Sequence, residues 1–303
     1  MNAAAASASK HPRTGFGLGL GAYFLWGVLP LYFKAISAVP AFDIVAHRVL
    51  WSVPVLAALV ALSRSWPKVR NTLGDRKTFA ILTLTALLIA GNWLLYVCAV
   101  NNGHLLAASF GYYLNPLANV LLGRFALKER LSRMQWTAVC IAAAGISVLA
   151  AGALSQIWIS LDLCISFSLY GLLRKVIPVD AVSGLAIETF ILFPLALAWL
   201  AWGYSLGRAV MGPSIGVSGL LLLAGIVSTT PLLLFNAAAK HLPYSTMGML
   251  QFIAPTLQFL IAVLLYGEPL TAAHIVAFSS IWIALGLYVT ALIRAPRLPQ
   301  PPE

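Results

Sequence analysis

The sequence is dominated by apolar runs that are about as long as a lipid bilayer is thick. A helix needs about 20 apolar residues to cross the hydrocarbon core. The chain offers ten such runs, at residues 14–33, 41–62, 78–98, 104–123, 134–151, 155–173, 182–203, 216–238, 244–265 and 271–293. The runs are continuous, whereas outer-membrane strands would alternate in segments of about ten residues. The sequence therefore predicts an all-α membrane protein with ten transmembrane helices.

The charged residues, only 9% of the chain, lie mainly in loops on one side of these helices. With a cytoplasmic amino terminus, 16 of the 19 Lys and Arg residues, Arg174 among them, fall in inner segments. Lys34 and Arg208 fall outside, and Arg48 lies within a span. The positive-inside rule produces this split when both termini are cytoplasmic. It accounts for the net charge of +11 without a nucleic-acid partner and predicts a multi-pass protein of the inner (plasma) membrane.

Motifs for ATP hydrolysis or catalysis are absent from the sequence. There is no Gly-Lys dipeptide, so the phosphate-binding G-x-x-x-x-G-K-[ST] loop cannot form. The chain has no H-E-x-x-H motif, its eight acids are not paired as in diphosphate-binding sites, and its five histidines are scattered. The three cysteines form no C-x-x-C pair. We therefore expect a protein that is not an enzyme and that needs no cofactor and no metal.

The two halves of the chain repeat each other at an offset of 139 residues. Pro116, Leu121, Glu129, Leu131, Ser132 and Ala138 align with Pro255, Leu260, Glu268, Leu270, Thr271 and Ala277. This predicts repeats at residues 14–151 and 155–293, with cytoplasmic tails at 1–13 and 294–303. Five spans in each copy is an odd number, so the second copy enters the membrane from the opposite face. Inverted repeats of this kind are typical of secondary transporters, which bind substrate near the midplane.

Three long strings resemble a known family. They are "AYFLWGVLPLYFK", "GNWLLYVCAVNNGHLLAASFGYYLNPLANVLLGRFALKERLSRMQW" and "STTPLLLFNAAAKHLPYSTMGMLQFIAPTLQFLIAVLLYGEPL". They are similar to RarD-type members of the drug/metabolite transporter (DMT) superfamily, which carry two EamA domains. The resemblance implies a ten-helix inner-membrane permease or exporter of small organic metabolites or drugs, linked by its family name to chloramphenicol sensitivity. A channel or a membrane sensor on the same helices remains the alternative.

Arg48 and Glu188 are charged residues within predicted spans, at equivalent positions of the two repeats. They are 140 residues apart, and each lies about 10 Å from its own membrane face. The next acid along the chain after Arg48 is Asp75. A lone cation at that depth costs at least ~2.5 kcal/mol, so it needs an acid, water or an anionic substrate. We therefore expect both side chains to face a substrate cavity; the alternative is a structural arginine that caps carbonyls or extends outward.

Polar and aromatic side chains in the other spans extend this predicted site. Tyr112, Asn115 and Asn119 share one face of the fourth span, and Gln251 and Gln258 repeat that face in the ninth. The lining is completed by Trp26, Asn92, Trp93, Tyr96 and Asn236. Polar groups in hydrocarbon must find partners, so the alternative is that they hold helices to each other. Glu129 and Glu268 each precede the last helix of a repeat and are instead predicted to cap the amino terminus of that helix.

Overall fold

The computed structural model describes residues 12–102, 104–150, 156–208, 211, 214–267 and 270–294. Over these ranges the chain forms helices and no strand. The helices are α1 (Pro12–Ala35), α2 (Ala41–Leu62), α3 (Trp66–Gly74), α4 (Arg76–Asn101), α5 (Leu105–Phe125), α6 (Arg133–Leu149), α7 (Ile157–Val176), α8 (Ala181–Ser205), α9 (Ile215–His241), α10 (Tyr244–Gln251), α11 (Ile253–Tyr266) and α12 (Ala272–Arg294).

Most of these helices have the length and apolar character of membrane spans. Within the described ranges, eight segments qualify, and one of them, Tyr244–Tyr266, joins α10 to α11. Helix α6 is apolar but shorter, and α5 has 21 residues that include two fully buried asparagines. The prediction of an all-helical, multi-pass membrane protein is confirmed.

Helices from the first half of the chain pack mainly against helices from the second half. Helix α1 packs against α9 and α11, α2 against α8 and α9, and α4 against α7 and α8. Helix α5 packs against α7 and α10, and α6 against α12. The bundle has two ends. The Lys34 end is where α1 ends and α2 begins, and the Arg174 end is where α7 ends and α8 begins.

A glycine fixes the close approach of α9 to α2. A Cβ atom added to Gly225 would overlap the backbone of Trp51 and Ser52, so a larger residue could not sit there without separating the helices. Ser52 lies at the same contact, donates to the carbonyl of Arg48 at 2.6 Å and accepts from the Thr229 hydroxyl at 2.9 Å. The close contact sets the position of Arg48 relative to α9.

A hydrogen bond from the second half replaces one that a proline removes from α1. Pro30 has no N–H, so the carbonyl four residues earlier, on Trp26, loses its helical partner. The amide nitrogen of Gln258 donates to that carbonyl at 3.0 Å. Gln258 is exposed on the bundle surface, so its contact with α1 joins two helices, as expected of polar groups in a bilayer.

The sequence predicts that Glu129 caps the helix that follows it, α6, but it caps a helix in the other half of the chain. The Glu129 carboxylate accepts from the backbone N–H groups of Tyr244 and Ser245, at 2.5 and 2.9 Å, at the start of α10. The adjacent helix α6 is capped instead by Ser132 and Gln135, each bonded to the backbone of the other. Glu268, its predicted counterpart, lies outside the described residues.

Candidate functional site

Arg48 is buried in α2 without a carboxylate partner among the described residues. Its side chain is 8% exposed, and its Nε donates to the Ser228 hydroxyl of α9 at 2.6 Å. Its Cζ lies 4.1 Å from the ring centroid of Trp93 and 5.7 Å from that of Phe33, so aromatic faces cover the guanidinium. Cation–π contacts of this kind partly compensate a cation for lost water.

A vestibule opens above Arg48 at the Lys34 end of the bundle. It has a volume of about 510 Å³ and is lined by Pro30, Phe33, Lys34, Tyr96 and Tyr266. The Lys34 ammonium lies 5.4 Å from the Tyr266 ring centroid. Phe33 lines the vestibule and also lies over Arg48, so the guanidinium is next to the vestibule, on the other side of this ring. Its volume is within the range of pockets that hold small organic ligands.

A narrow cleft continues from Arg48 toward the Arg174 end. Its lining includes both Arg48 and Glu188, together with Trp93, Ser228 and Thr229. The space in it is about 20 Å³, which is room for about one water molecule. Arg48 and Glu188 thus line one cleft, which is closed to anything larger than water in this conformation.

Glu188 has its own partners at the closed end of that cleft. It forms an ion pair with Arg174 of α7, whose Nε lies 3.5 Å from the Glu188 Oε1, and both side chains are at most 1% exposed. Thr85 of α4 donates to the same oxygen at 2.6 Å, and the Tyr170 hydroxyl lies 3.5 Å from the other. Tyr170 in turn accepts from Asn236 at 2.9 Å. The sequence assigned Arg174 to a loop, but α7 continues to Val176 and buries it.

Two lysines join the ends of α7 and α9 beside this ion pair. Lys175 Nζ donates to the carbonyls of Ala239 and Leu242, at 2.7 and 2.5 Å. Reciprocally, Lys240 Nζ donates to the carbonyls of Lys175, at 3.1 Å, and of Ile177. Carbonyls at helix carboxyl ends attract cations, so each lysine stabilises the end of the other helix. These contacts close the Arg174 end of the bundle.

Three more of the predicted site residues, Asn92, Tyr96 and Tyr112, form one cluster. The Tyr112 hydroxyl donates to the side-chain Oδ1 of Asn92 at 3.0 Å, and the Tyr112 ring centroid lies 5.3 Å from that of Tyr96. The Asn92 amide donates to the Leu163 carbonyl and to the Ser166 hydroxyl, each at 2.9 Å. Asn92 and Tyr112 thus position Tyr96, which lines the vestibule.

The remaining predicted residues contact other helices. Asn119 donates to the Gln251 side-chain oxygen at 2.8 Å and so joins α5 to α10. Trp26 packs its ring on Phe167 and Phe235, at centroid distances of 5.7 and 5.6 Å. These contacts, like that of Gln258 with α1, have the geometry of the helix-joining alternative. Asn115 is fully buried, and neither of its side-chain polar atoms has a hydrogen-bond partner.

Comparison with known proteins identifies the family of this site. Residues 13–151 match the EamA-like transporter family. Protein RarD of Salmonella typhi is 44% identical over 297 residues, which cover 95% of this chain and 99% of that protein. An uncharacterised transporter of Pseudomonas aeruginosa is 44% identical over 301 residues, covering 97% and 99%. The chain belongs to the RarD-type EamA transporters.

This family assignment confirms the resemblance and means that the protein is a transporter and not an enzyme. A solved crystal structure, described only as that of a protein, has the same fold, with a TM-score of 0.72 at 20% identity. The likeness covers 93% of this chain and 99% of that one. It shows that the helical architecture extends over nearly the whole RarD-type chain.

Sequence reasoning missed the polar partners of both charges in this transporter. Ser228 and Thr85 are small hydroxyl residues in apolar runs, and no charge or motif distinguishes them. Arg174 could have been identified from the sequence, because the apolar run of α7 could be extended by one turn to include it. Asp43 could also have been identified, because it lies five residues before Arg48. In the structure it is 7% exposed and accepts from Trp199 Nε1 at 2.8 Å.

Proposed function

We propose that this RarD-type protein is a secondary transporter, a permease or exporter of small organic metabolites or drugs across the inner membrane, with Arg48 at its central binding site. One observation carries the proposal. An arginine that no described carboxylate neutralises lies in the interior of the bundle, and a vestibule large enough for an organic molecule lies next to it, across the ring of Phe33. A permanent cation in such a place favours an electronegative or anionic substrate group.

The proposed architecture is ten spans in two inverted repeats, residues 14–151 and 155–293. The pattern of helix contacts supports it. The proposed repeats pair α1 with α7, α2 with α8, α4 with α9, α5 with α10–α11 and α6 with α12. Under this pairing, the contact of α1 with α9 corresponds to that of α4 with α7. In the same way, α1 with α11 corresponds to α5 with α7, and α2 with α9 to α4 with α8. Exchanging the halves thus maps these contacts onto one another, which is the relation that a two-fold axis would give.

The mechanism suggested by this geometry is alternating access, in which the halves move against each other around the site. In the present conformation the Lys34 end has an open vestibule, while Lys175, Lys240 and the Arg174–Glu188 pair close the other end. Opening the second end would require these contacts to break. Glu188 is the acid in the cleft that could exchange a proton during that step.

A purified protein in liposomes tests the proposal. Metabolites that differ between cells with and without the gene would first identify candidate substrates, and chloramphenicol would be added because of the family resemblance. We expect saturable counterflow of at least one such compound without ATP. Flux that does not saturate and shows no exchange would favour the channel alternative. Binding without flux would favour a sensor, and strict dependence on ATP would contradict secondary transport.

The proposed orientation, with both termini in the cytoplasm, has a separate test. Asn71 in α3 and Ser205 at the end of α8 are both exposed and lie at opposite ends of the bundle. In a background without the three native cysteines, we expect a membrane-impermeant thiol reagent to label Ser205→Cys in intact cells and Asn71→Cys only after lysis. The reverse pattern would invert the topology.

A further inference from the structure

We propose that the Arg48 site takes monoanionic organic carboxylates that carry a planar apolar group, and that it discriminates against zwitterions and neutral amides. This inference deepens the proposed function and rests on it, because it specifies the substrate class of the same site. Four features of the described residues support it: the balance of charge, the free edge of the guanidinium, the aromatic vestibule and the narrow cleft.

The first feature is the balance of charge around the site. Of the described residues that line the cleft and the vestibule, Arg48, Lys34 and Glu188 carry charge. Arg174 neutralises Glu188 at 3.5 Å, so the lining keeps two uncompensated cations. A carboxylate would compensate one of them. An ammonium group on the same ligand would find no free acid, and a desolvated charge without a partner is costly.

The second feature is the part of the guanidinium that remains free. Ser228 occupies Nε at 2.6 Å, and Trp93 covers one face with its centroid 4.1 Å from Cζ. The two Nη atoms make no hydrogen bond to the described residues. Two terminal N–H groups in one plane match the two oxygens of a carboxylate, and such bidentate pairs are the strong form of this contact. Ser228 and Trp93 therefore hold the fork in a fixed orientation.

The third and fourth features are the shape and the lining of the space. The vestibule of about 510 Å³ presents the side chains of Phe33, Tyr96 and Tyr266, whereas the cleft beyond Arg48 has room for about one water molecule. A ligand must therefore place its small charged end at Arg48 and leave its body in the vestibule. Flat aromatic walls favour a planar apolar body through offset or edge-to-face contacts.

A matched set of four compounds tests each part of the inference by calorimetry on the protein in lipid nanodiscs. They are 3-phenylpropanoate, its neutral amide 3-phenylpropanamide, its zwitterionic analogue phenylalanine and its saturated analogue 3-cyclohexylpropanoate. We expect 3-phenylpropanoate to bind, with the amide and phenylalanine each weaker by about tenfold or more, since hydrogen bonds between charged groups are among the strongest. The saturated analogue should be weaker by about two- to fivefold.

Variants connect this selectivity to the named residues. Arg48→Ala should reduce the affinity for 3-phenylpropanoate by about tenfold or more and abolish its preference over the amide. Trp93→Phe, a milder change, should weaken binding by only about two- to fivefold. Arg208→Ala is the matched control, because Arg208 also lies over a tryptophan, 5.0 Å from the Trp202 centroid, but lines neither space. It should leave binding unchanged.

The results separate this inference from the proposed function. Equal affinities for 3-phenylpropanoate, its amide and phenylalanine would overturn the inference, as would no binding of 3-phenylpropanoate at millimolar concentration. Neither result affects counterflow of compounds found by the metabolite comparison. Conversely, binding with the predicted selectivity but no flux in liposomes would retain the carboxylate site and contradict the transport function.

Discussion

Arg48 and Glu188 lie 140 residues apart, at positions that the proposed repeats make equivalent, yet their surroundings differ. Arg48 has an aromatic cover, one hydroxyl partner and a vestibule above it. Glu188 is held by an arginine, a threonine and a tyrosine at the end of a closed cleft. Arg48 thus lacks a carboxylate partner among the described residues, whereas Glu188 is neutralised within the fold. In the function proposed above, the first charge would bind substrate and the second would help to hold the bundle closed.

The largest effect should follow from breaking the neutralised pair. Arg174→Met leaves the Glu188 carboxylate buried without its cation, which we expect to lower the free energy of unfolding by about 3 to 5 kcal/mol. Unfolding of the detergent-solubilised protein would measure it. The double variant Arg174→Met/Glu188→Gln removes both charges and should recover most of the loss. If the single and double variants are equally stable, the pair does not neutralise Glu188.

Removing the unpaired charge of Arg48 should affect transport more than stability. Arg48→Ala should lower the transport rate by about tenfold to a hundredfold, or ~1.4 to 2.7 kcal/mol, because the substrate loses a charged hydrogen-bond donor. Stability should change by less than in Arg174→Met, since no buried acid loses a partner. Arg48→Lys supplies charge without the planar fork and should keep a small fraction of transport. Initial rates normalised to folded protein would measure this, and a parental rate for Arg48→Ala would remove Arg48 from the site.

A smaller effect is expected at the cap that joins the two halves. Glu129→Gln keeps the size of the side chain but removes the charge at the start of α10, so we expect a loss of about 1 kcal/mol in unfolding free energy. Gln135→Ala is the matched variant, because Gln135 belongs to the exposed capping box of α6, a cap that lies within one half of the chain. An unfolding free energy that Glu129→Gln leaves unchanged would indicate that this cap does not stabilise the fold.

The smallest effect concerns the amide pair between α5 and α10. A double-mutant cycle on Asn119→Ala and Gln251→Ala should give a coupling energy of about 0.6 kcal/mol, as is usual for hydrogen bonds between membrane helices. Transport per folded molecule should stay near the parental value if the pair only joins helices. A selective loss of transport with unchanged stability would instead place both side chains at the substrate site.

The sequence alone determined the number of apolar runs, the charge asymmetry, the matches between the two halves and the family. These features are local or periodic, so they can be read without knowing which helices touch. It also located Arg48 and Glu188, because a charge in an apolar run is conspicuous. The polar residues of α5 and α10–α11 were equally visible, but their spacing fits a cavity lining and a helix contact alike.

Only the tertiary structure decided which groups meet. Ser228 reaches Arg48 across 180 residues, and Arg174 reaches Glu188 because α7 continues one turn past its apolar run. It also decided that Gln258 replaces the hydrogen bond that Pro30 removes from Trp26, and that Glu129 caps a helix of the other half. Polar groups inside a bilayer favour hydrogen-bonded partners, but which partner each one finds depends on helix packing, and spacing along the chain does not encode it.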